Sequence, residues 1–107
     1  MPDKTNKGDR TIDGVVVTVD GELLDDRQDL QAFSTLGFEW TFEGDSSRQL
    51  ALALLADHLQ DDSRALSLCE DFMRSIVAYL DNTWEMRSQD ISDAVTAIEA
   101  ARESREP

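Results

Sequence analysis

The side chains with the most chemical potential in this chain are its single histidine, His58, and its single cysteine, Cys69. His58 lies in the last turn of a predicted helix, where a protonated imidazole interacts favourably with the helix dipole. Cys69 lies on the apolar stripe of a second predicted helix. A lone histidine with no cysteine partner nearby in the sequence makes neither a metal site nor a catalytic dyad. Both side chains are therefore predicted to be structural, with Cys69 buried and inert.

Carboxylates form two clusters that could hold a hard cation. The clusters are Asp25, Asp26 and Asp29, and separately Asp57, Asp61 and Asp62. Neither has the central glycine and terminal glutamate of a calcium-binding loop. The sequence also lacks zinc spacing, a phosphate-binding glycine loop and a nucleophile elbow. We expect a solvated acidic surface, and we predict no catalytic, cofactor-binding or metal-binding residue.

Three aromatic side chains, Trp40, Phe42 and Trp84, could stack on nucleic-acid bases. Sites of that kind combine aromatic rings with a positively charged groove, and no lysine or arginine is interleaved with these rings. The three rings are therefore predicted to be core residues, and we expect no direct binding to nucleic acid.

Charge is the most informative bulk property of the chain. The net charge is −13, from 23 acidic and 10 basic residues. Both lysines, Lys4 and Lys7, lie in the first ten residues, and aspartates outnumber glutamates by fifteen to eight. This composition is typical of proteins adapted to molar salt, where the Debye length is about 3 Å and self-repulsion is screened. The alternative is an acidic surface that binds a basic partner or imitates nucleic acid.

The length of 107 residues predicts one domain with a modest core. The longest apolar run, Leu50 to Ala56, is far shorter than the about 20 residues that span a bilayer. The first residues are polar and contain no apolar segment of a secretory signal. We therefore expect a cytoplasmic protein that does not contact membranes and has no internal disulfide.

The stretch from Phe38 to Leu59 is predicted to be the structural nucleus around which the rest of the chain is organised. Alternation places Phe38, Trp40 and Phe42 on one face of a predicted strand. Ser46 and Gln49 have the spacing of a capping box, which predicts a helix from Ser47. The leucines that follow point in all directions around that helix, so it should be covered on nearly every side.

A hairpin is the clearest local element before that stretch. Residues 15–19 are strongly β-forming, and Asp20-Gly21 is a preferred type I′ turn. The resulting register gives one core face to Val15, Val17, Val19 and Leu24. Residues 1–10 are expected to form a flexible tail, and residues 25–37 a long connection with Leu30, Phe33 and Leu36 tucked against the body.

Two more helices and a strand complete the prediction. Residues 61–63 supply a turn and an N-cap for a second helix that runs to about Leu80. Trp84 and Met86 indicate a short strand, and Ser88 caps a third helix. The order is β-β-β-α-α-β-α, an α+β fold in which a β-hairpin and short strands form a small antiparallel sheet packed by three helices. The single domain is expected to span residues 11–103, with a frayed C-terminus at 104–107.

The segment Gly37 to Asp57 resembles the signature of a small uncharacterised family of haloarchaea, bacteria and their mobile elements. The signature runs Gly-Phe-Glu-Trp-Gly-Tyr-Gly-Gly-Ser-Gly-Pro-x-Gln-Leu-Ala-Leu-Ala. The similarity extends over most of the chain and implies a domain with no assigned activity. This chain departs from the signature at Thr41, Glu43, Asp45 and Ser46, and a serine replaces its proline. A glycine-rich turn there could cradle an anion, which Glu43 and Asp45 would repel.

These features predict a non-enzymatic interaction module adapted to high salt. The alternative is an acidic nucleic-acid mimic that binds a basic nucleic-acid-binding protein. Because so small a domain has difficulty covering its apolar helices, we expect a leftover apolar patch around Phe72, Met73, Ile76 and Tyr79. A protein partner or a second copy of the chain would cover that patch, most simply in a two-fold homodimer.

Overall fold

A computed structural model describes residues 3–104. These residues form an α+β fold in the predicted order, with one additional 3₁₀ helix at Val77–Tyr79. The elements are β1 (Thr5–Thr11), β2 (Gly14–Val19), β3 (Glu22–Leu23), α1 (Asp45–Leu59), α2 (Asp62–Ser75), β4 (Trp84–Arg87) and α3 (Ser88–Ser104). The sheet has the order β3-β2-β1-β4 and every pairing in it is antiparallel.

Strand β1 corrects the prediction of a flexible tail. Met1 and Pro2 lie outside the described residues, but Thr5–Thr11 forms an inner strand hydrogen-bonded to β2 on one side and β4 on the other. The strand is polar, so it carries no hydrophobic signal of its own. Gly8 is required because a Cβ there would lie 2.2 Å from Nε1 of Trp84 on β4.

The hairpin of β2 and β3 is confirmed. Asp20 and Gly21 have φ angles of 51° and 85°, as a type I′ turn requires, and Val19 pairs with Glu22. The predicted core face is also confirmed, because Val17 is buried and its three predicted companions are partly buried. Leu23, on the opposite face, is 78% exposed.

The predicted strand at Phe38–Phe42 is wrong, although the predicted order of elements is correct. Residues 24–44 contain no helix or strand, and the third strand of the order is supplied by β1. Thr41 has a φ of 80°, which interrupts an extended strand, and its backbone N–H donates to the Val77 carbonyl at 3.1 Å. Trp40 is fully buried, whereas Phe42 is 51% exposed.

The three helices pack against one another and share one core with the sheet. Helix α1 begins at Asp45, two residues earlier than predicted, and Gly44 caps it without a side-chain hydrogen bond. The predicted capping box of Ser46 and Gln49 is therefore wrong. Every residue from Leu50 to Ala56 is buried, as the distribution of leucines predicts.

The other two helices begin close to where the sequence predicts. The Asp61 side chain caps α2 by accepting from the Arg64 N–H at 3.1 Å. This helix ends at Ser75 rather than near Leu80, because the backbone tightens into the 3₁₀ turn. Helix α3 begins at Ser88 and extends to Ser104, and residues 105–107 of the predicted frayed end lie outside the described residues.

Candidate functional site

The predicted interface residues do not form one exposed surface. Phe72 and Met73 have no exposed surface, because they lie on the face of α2 that packs into the core. Ile76 is partly buried against the core, and Tyr79 is 80% exposed. The prediction of a patch on helices two and three is therefore wrong for its two α2 residues. The reason is that the helices cover each other more completely than the small size of the chain suggested.

Tyr79 instead lies two residues after a backbone contact with the segment that contains Phe42, an aromatic residue that the sequence analysis assigned to the core. The Thr41 N–H donates to the Val77 carbonyl at 3.1 Å, so Phe42 follows one partner of this hydrogen bond by one residue and Tyr79 follows the other by two. Ile76 caps the N-terminus of that 3₁₀ helix. We call Phe42, Ile76 and Tyr79 the aromatic ledge. The strand pattern at Phe38–Phe42 concealed it, because alternation placed Phe42 on the same side as Trp40.

The segment of residues 24–44 is organised by the side chain of Gln49, which is fully buried in α1. Its Oε1 accepts from the backbone N–H groups of Phe33 at 2.8 Å and Ser34 at 3.2 Å. Its Nε2 donates to the carbonyls of Asp26 at 2.6 Å and Gln31 at 3.1 Å. The amide thus makes all four hydrogen bonds available to it. Sequence analysis missed this role because the spacing from Ser46 resembled a capping box.

Trp40 provides a second anchor for the same segment. Its indole N–H donates to the Asn82 carbonyl at 3.2 Å, and its ring meets that of Trp84 edge-on at 5.8 Å. The guanidinium of Arg10 lies 4.9 Å from the Trp40 ring centre and forms an ion pair with Glu39 at 2.7 Å. Trp40 and Trp84 are therefore core residues, as predicted, whereas Phe42 is not.

His58 and Cys69 occupy structural environments. The Nε2 atom of His58 is 2.9 Å from the Ser92 hydroxyl, and burial lowers the pKa of the imidazole, although Asp57 acts in the opposite direction. The Cys69 thiol is buried and donates to the Leu66 carbonyl, and its burial raises the pKa of the thiol. A raised pKa disfavours the nucleophilic thiolate.

The two carboxylate clusters are engaged with groups of the protein itself. Asp25 accepts from the Arg27 N–H at 2.9 Å, and Asp29 and Asp62 form ion pairs with the Arg27 guanidinium. This guanidinium lowers the pKa of Asp29 through a side-chain hydrogen bond. Asp57 pairs with Lys4 at 3.3 Å. Within residues 3–104, no group of three or more histidine, cysteine, aspartate or glutamate side chains is placed to hold a metal ion.

The basic side chains in the described part of the chain are all paired with carboxylates. All nine lysines and arginines between residues 3 and 104 form ion pairs with carboxylates. Of the 22 acidic side chains in that range, eleven have no ion-pair partner there. These are Asp9, Asp13, Asp20, Glu22, Asp25, Asp26, Asp61, Asp81, Asp90, Asp93 and Glu103. The described surface therefore has an excess of negative charge and no unpaired cation.

The sequence model of a family of unknown function, DUF6166, matches residues 6–97. The chain belongs to this family. The match runs from β1 into α3 and includes the segment that Gln49 and Trp40 anchor. No curated protein and no solved structure matches the chain. In the described part of the chain, none of the helices combines the length and the hydrophobicity needed to cross a membrane.

Proposed function

We propose that the protein is a non-enzymatic, cytoplasmic interaction module whose surface is adapted to high salt. The observation that carries this proposal is the pairing of all nine described basic side chains, which leaves eleven carboxylates without a cationic partner among residues 3–104. Such an excess of charge destabilises a compact chain in dilute buffer and is tolerated where salt screens it. The segment Gly37 to Asp57 also resembles the signature of a family that we expect in haloarchaea as well as in bacteria and their mobile elements.

The distribution of the unpaired carboxylates favours salt adaptation over nucleic-acid mimicry. A mimic would gather its charges on one face, in imitation of a phosphate backbone. Here they lie on several elements, including Asp9 on β1, Asp26 in the 24–44 segment, Asp61 before α2, and Asp93 and Glu103 on α3. This spread supports an evenly hydrated acidic surface.

Protein contacts are proposed to involve the aromatic ledge. Tyr79 and Phe42 are 80% and 51% exposed, although large aromatic side chains contribute most when they are covered. Exposed aromatic residues are also enriched at the centres of protein interfaces. The ledge is therefore the surface that we propose for a protein partner, with a second copy of the chain as the simplest candidate.

The salt proposal is tested by thermal unfolding at increasing potassium chloride concentration. We expect the melting temperature to rise substantially from low to molar salt, because screening removes the mutual repulsion of the carboxylates. A variant such as Glu103→Gln, which removes one unpaired charge, should be slightly less dependent on salt. A melting temperature that stays constant or falls with added salt would contradict the proposal.

The contact proposal is tested by light scattering at molar salt. We expect the wild type to form a dimer and Tyr79→Asp to be monomeric. Tyr79 is a better position than Ile76, which packs partly in the core and whose replacement would also destabilise the fold. The matched control is Ile12→Asp at the β1–β2 turn, where the side chain is fully exposed. A monomeric wild type at high concentration would rule out the second copy as the partner.

A further inference from the structure

Strand β1 lies between β2 and β4, although its sequence, Thr-Asn-Lys-Gly-Asp-Arg-Thr, contains no apolar side chain. An inner strand of this kind adds nothing to the hydrophobic core. We propose that β1 is exchangeable: the slot between β2 and β4 accepts the β1 strand of a second copy, so that two chains form a strand-swapped dimer. The inference goes beyond the proposed function, because it uses neither the aromatic ledge nor the salt adaptation of the surface.

The buried side of β1 is incompletely hydrogen-bonded. Asn6 is 2% exposed and its Nδ2 donates to the Met86 carbonyl at 3.0 Å, but its Oδ1 has no hydrogen-bond partner among the described residues. The same is true of Nε1 of Trp84, which is 7% exposed and lies on β4 opposite Gly8. Buried polar groups without a partner are costly. Seating β1 therefore carries a cost, which lowers the barrier to its opening.

Four ion pairs join residues 3–10 to the rest of the chain, and all four are at least partly exposed. They are Asp3–Arg87, Lys4–Asp57, Lys7–Glu85 and Arg10–Glu39. Exposed ion pairs contribute little individually, and salt weakens them further. Strand β1 is therefore held mainly by its backbone hydrogen bonds to β2 and β4, which the same strand of another copy can make equally well.

The turn between β1 and β2 lacks the chemistry of the turn between β2 and β3. Its central residues, Ile12 and Asp13, have no positive φ, so it is not a type I′ turn. Ile12 is β-branched and 102% exposed, and such residues favour extended strands over turns. The Thr11 hydroxyl makes the side-chain hydrogen bonds of the turn, to the Gly14 carbonyl at 2.9 Å and from the Asp13 N–H at 3.2 Å. Straightening the turn breaks only these local contacts and relieves the exposed Ile12 of a turn conformation.

A straightened turn selects a second copy as the partner. Residues 5–19 would then form one strand of about 50 Å, at about 3.3 Å per residue, which carries β1 away from its own slot. The slot of a second copy offers the same two strand edges, and its own β1 completes the exchange. The slot is also selective, because a Cβ at position 8 would lie 2.2 Å from Nε1 of Trp84, so the incoming strand needs a glycine there. Reciprocal exchange restores the contacts of β1 and changes only the turn.

The test mixes two full-length variants that each carry one new cysteine. Lys7→Cys lies on β1 and Glu85→Cys on β4, at positions that pair in the sheet and whose side chains are 57% and 55% exposed. After incubation at high concentration and mild oxidation, mass spectrometry measures the disulfide between position 7 of one copy and position 85 of the other. We expect about tenfold more of it than of the disulfide between Lys7→Cys and Glu103→Cys on α3, because a seated strand holds the two thiols together.

Two further changes separate strand exchange from other contacts between copies. Ile12→Asn combined with Asp13→Gly should lower the cross-linking about tenfold, because Asn-Gly favours the closed type I′ hairpin. Tyr79→Asp in both chains removes the contact proposed for the aromatic ledge and should leave the yield within about twofold. A yield equal to that of the Glu103→Cys control would overturn the proposal. So would a yield that the Asn-Gly turn leaves unchanged, or one that Tyr79→Asp abolishes.

Discussion

Helix α1 and the segment of residues 24–44 are adjacent in the chain and both contribute fully buried side chains to the core, yet different forces hold them. Residues Leu50 to Leu55 of α1 are fully buried, and so is Trp40 in the segment. The helix satisfies its backbone groups internally, so burial of its apolar side chains is sufficient. The segment has no such ladder, and its backbone depends on the amide of Gln49 and on bonds to distant residues.

This difference shows that burial and local predictability are separate properties. A run of leucines and alanines predicts a buried helix wherever it is covered. Where an irregular segment has buried backbone groups, those groups need specific polar partners, because each unpaired buried N–H or C=O group is costly. Segments of this length without secondary structure are uncommon in compact domains, and many of them are functional. The aromatic ledge takes Phe42 from this segment.

The largest expected effect comes from Gln49→Leu, which keeps the volume of the side chain and removes its hydrogen bonds. We expect a loss of about 3 kcal/mol in the free energy of unfolding, because four backbone groups lose their partner and that of Ser34 is buried. Urea unfolding measures the loss, and hydrogen exchange should place it in residues 24–44. Gln89→Leu on the exposed surface of α3 should change stability by less than about 0.5 kcal/mol. A loss below about 1 kcal/mol for Gln49→Leu would mean that the segment is held in another way.

Thr41→Gly is expected to stabilise the protein by about 1 kcal/mol. A β-branched residue at a φ of 80° is strained, and glycine adopts that conformation without a penalty. Thr35→Gly in the same segment is the matched control, and it should destabilise by up to about 1 kcal/mol because it only adds freedom to the unfolded chain. If both variants lower the denaturant midpoint equally, the conformation at Thr41 carries no strain.

The smallest expected effect concerns His58 in the last turn of α1. Its pKa is lowered in the folded state, chiefly by burial, from an ordinary value of 6.5. The unfolded chain therefore binds the proton more readily, so the contribution is complete above pH 6.5 and is lost as pH falls towards the folded pKa. At molar salt, stability should decrease slightly between pH 7 and 5, and His58→Gln should remove this part of the decrease. An unchanged slope in the variant would assign it to other groups.

The sequence by itself determines the elements whose signals are local. The Asp20-Gly21 turn, the buried helix from Leu50 to Ala56 and the strand at Trp84 are predicted and found. These elements can be predicted because turn conformation, side-chain periodicity and β-propensity depend on residues that are close in the chain. The charge excess is likewise a property of composition, and it predicts the character of the surface without the fold.

The tertiary structure alone decides the features that depend on distant partners. Strand β1 is polar and gains its place from two strands, one of which is about 80 residues away. The side chain of Gln49 bonds to the backbone of the 24–44 segment rather than to its own helix. Phe72 and Met73 are covered by packing that cannot be predicted from the number of apolar residues. A hydrogen bond to a distant backbone group leaves no periodicity in the sequence. Only the folded chain brings the two partners together.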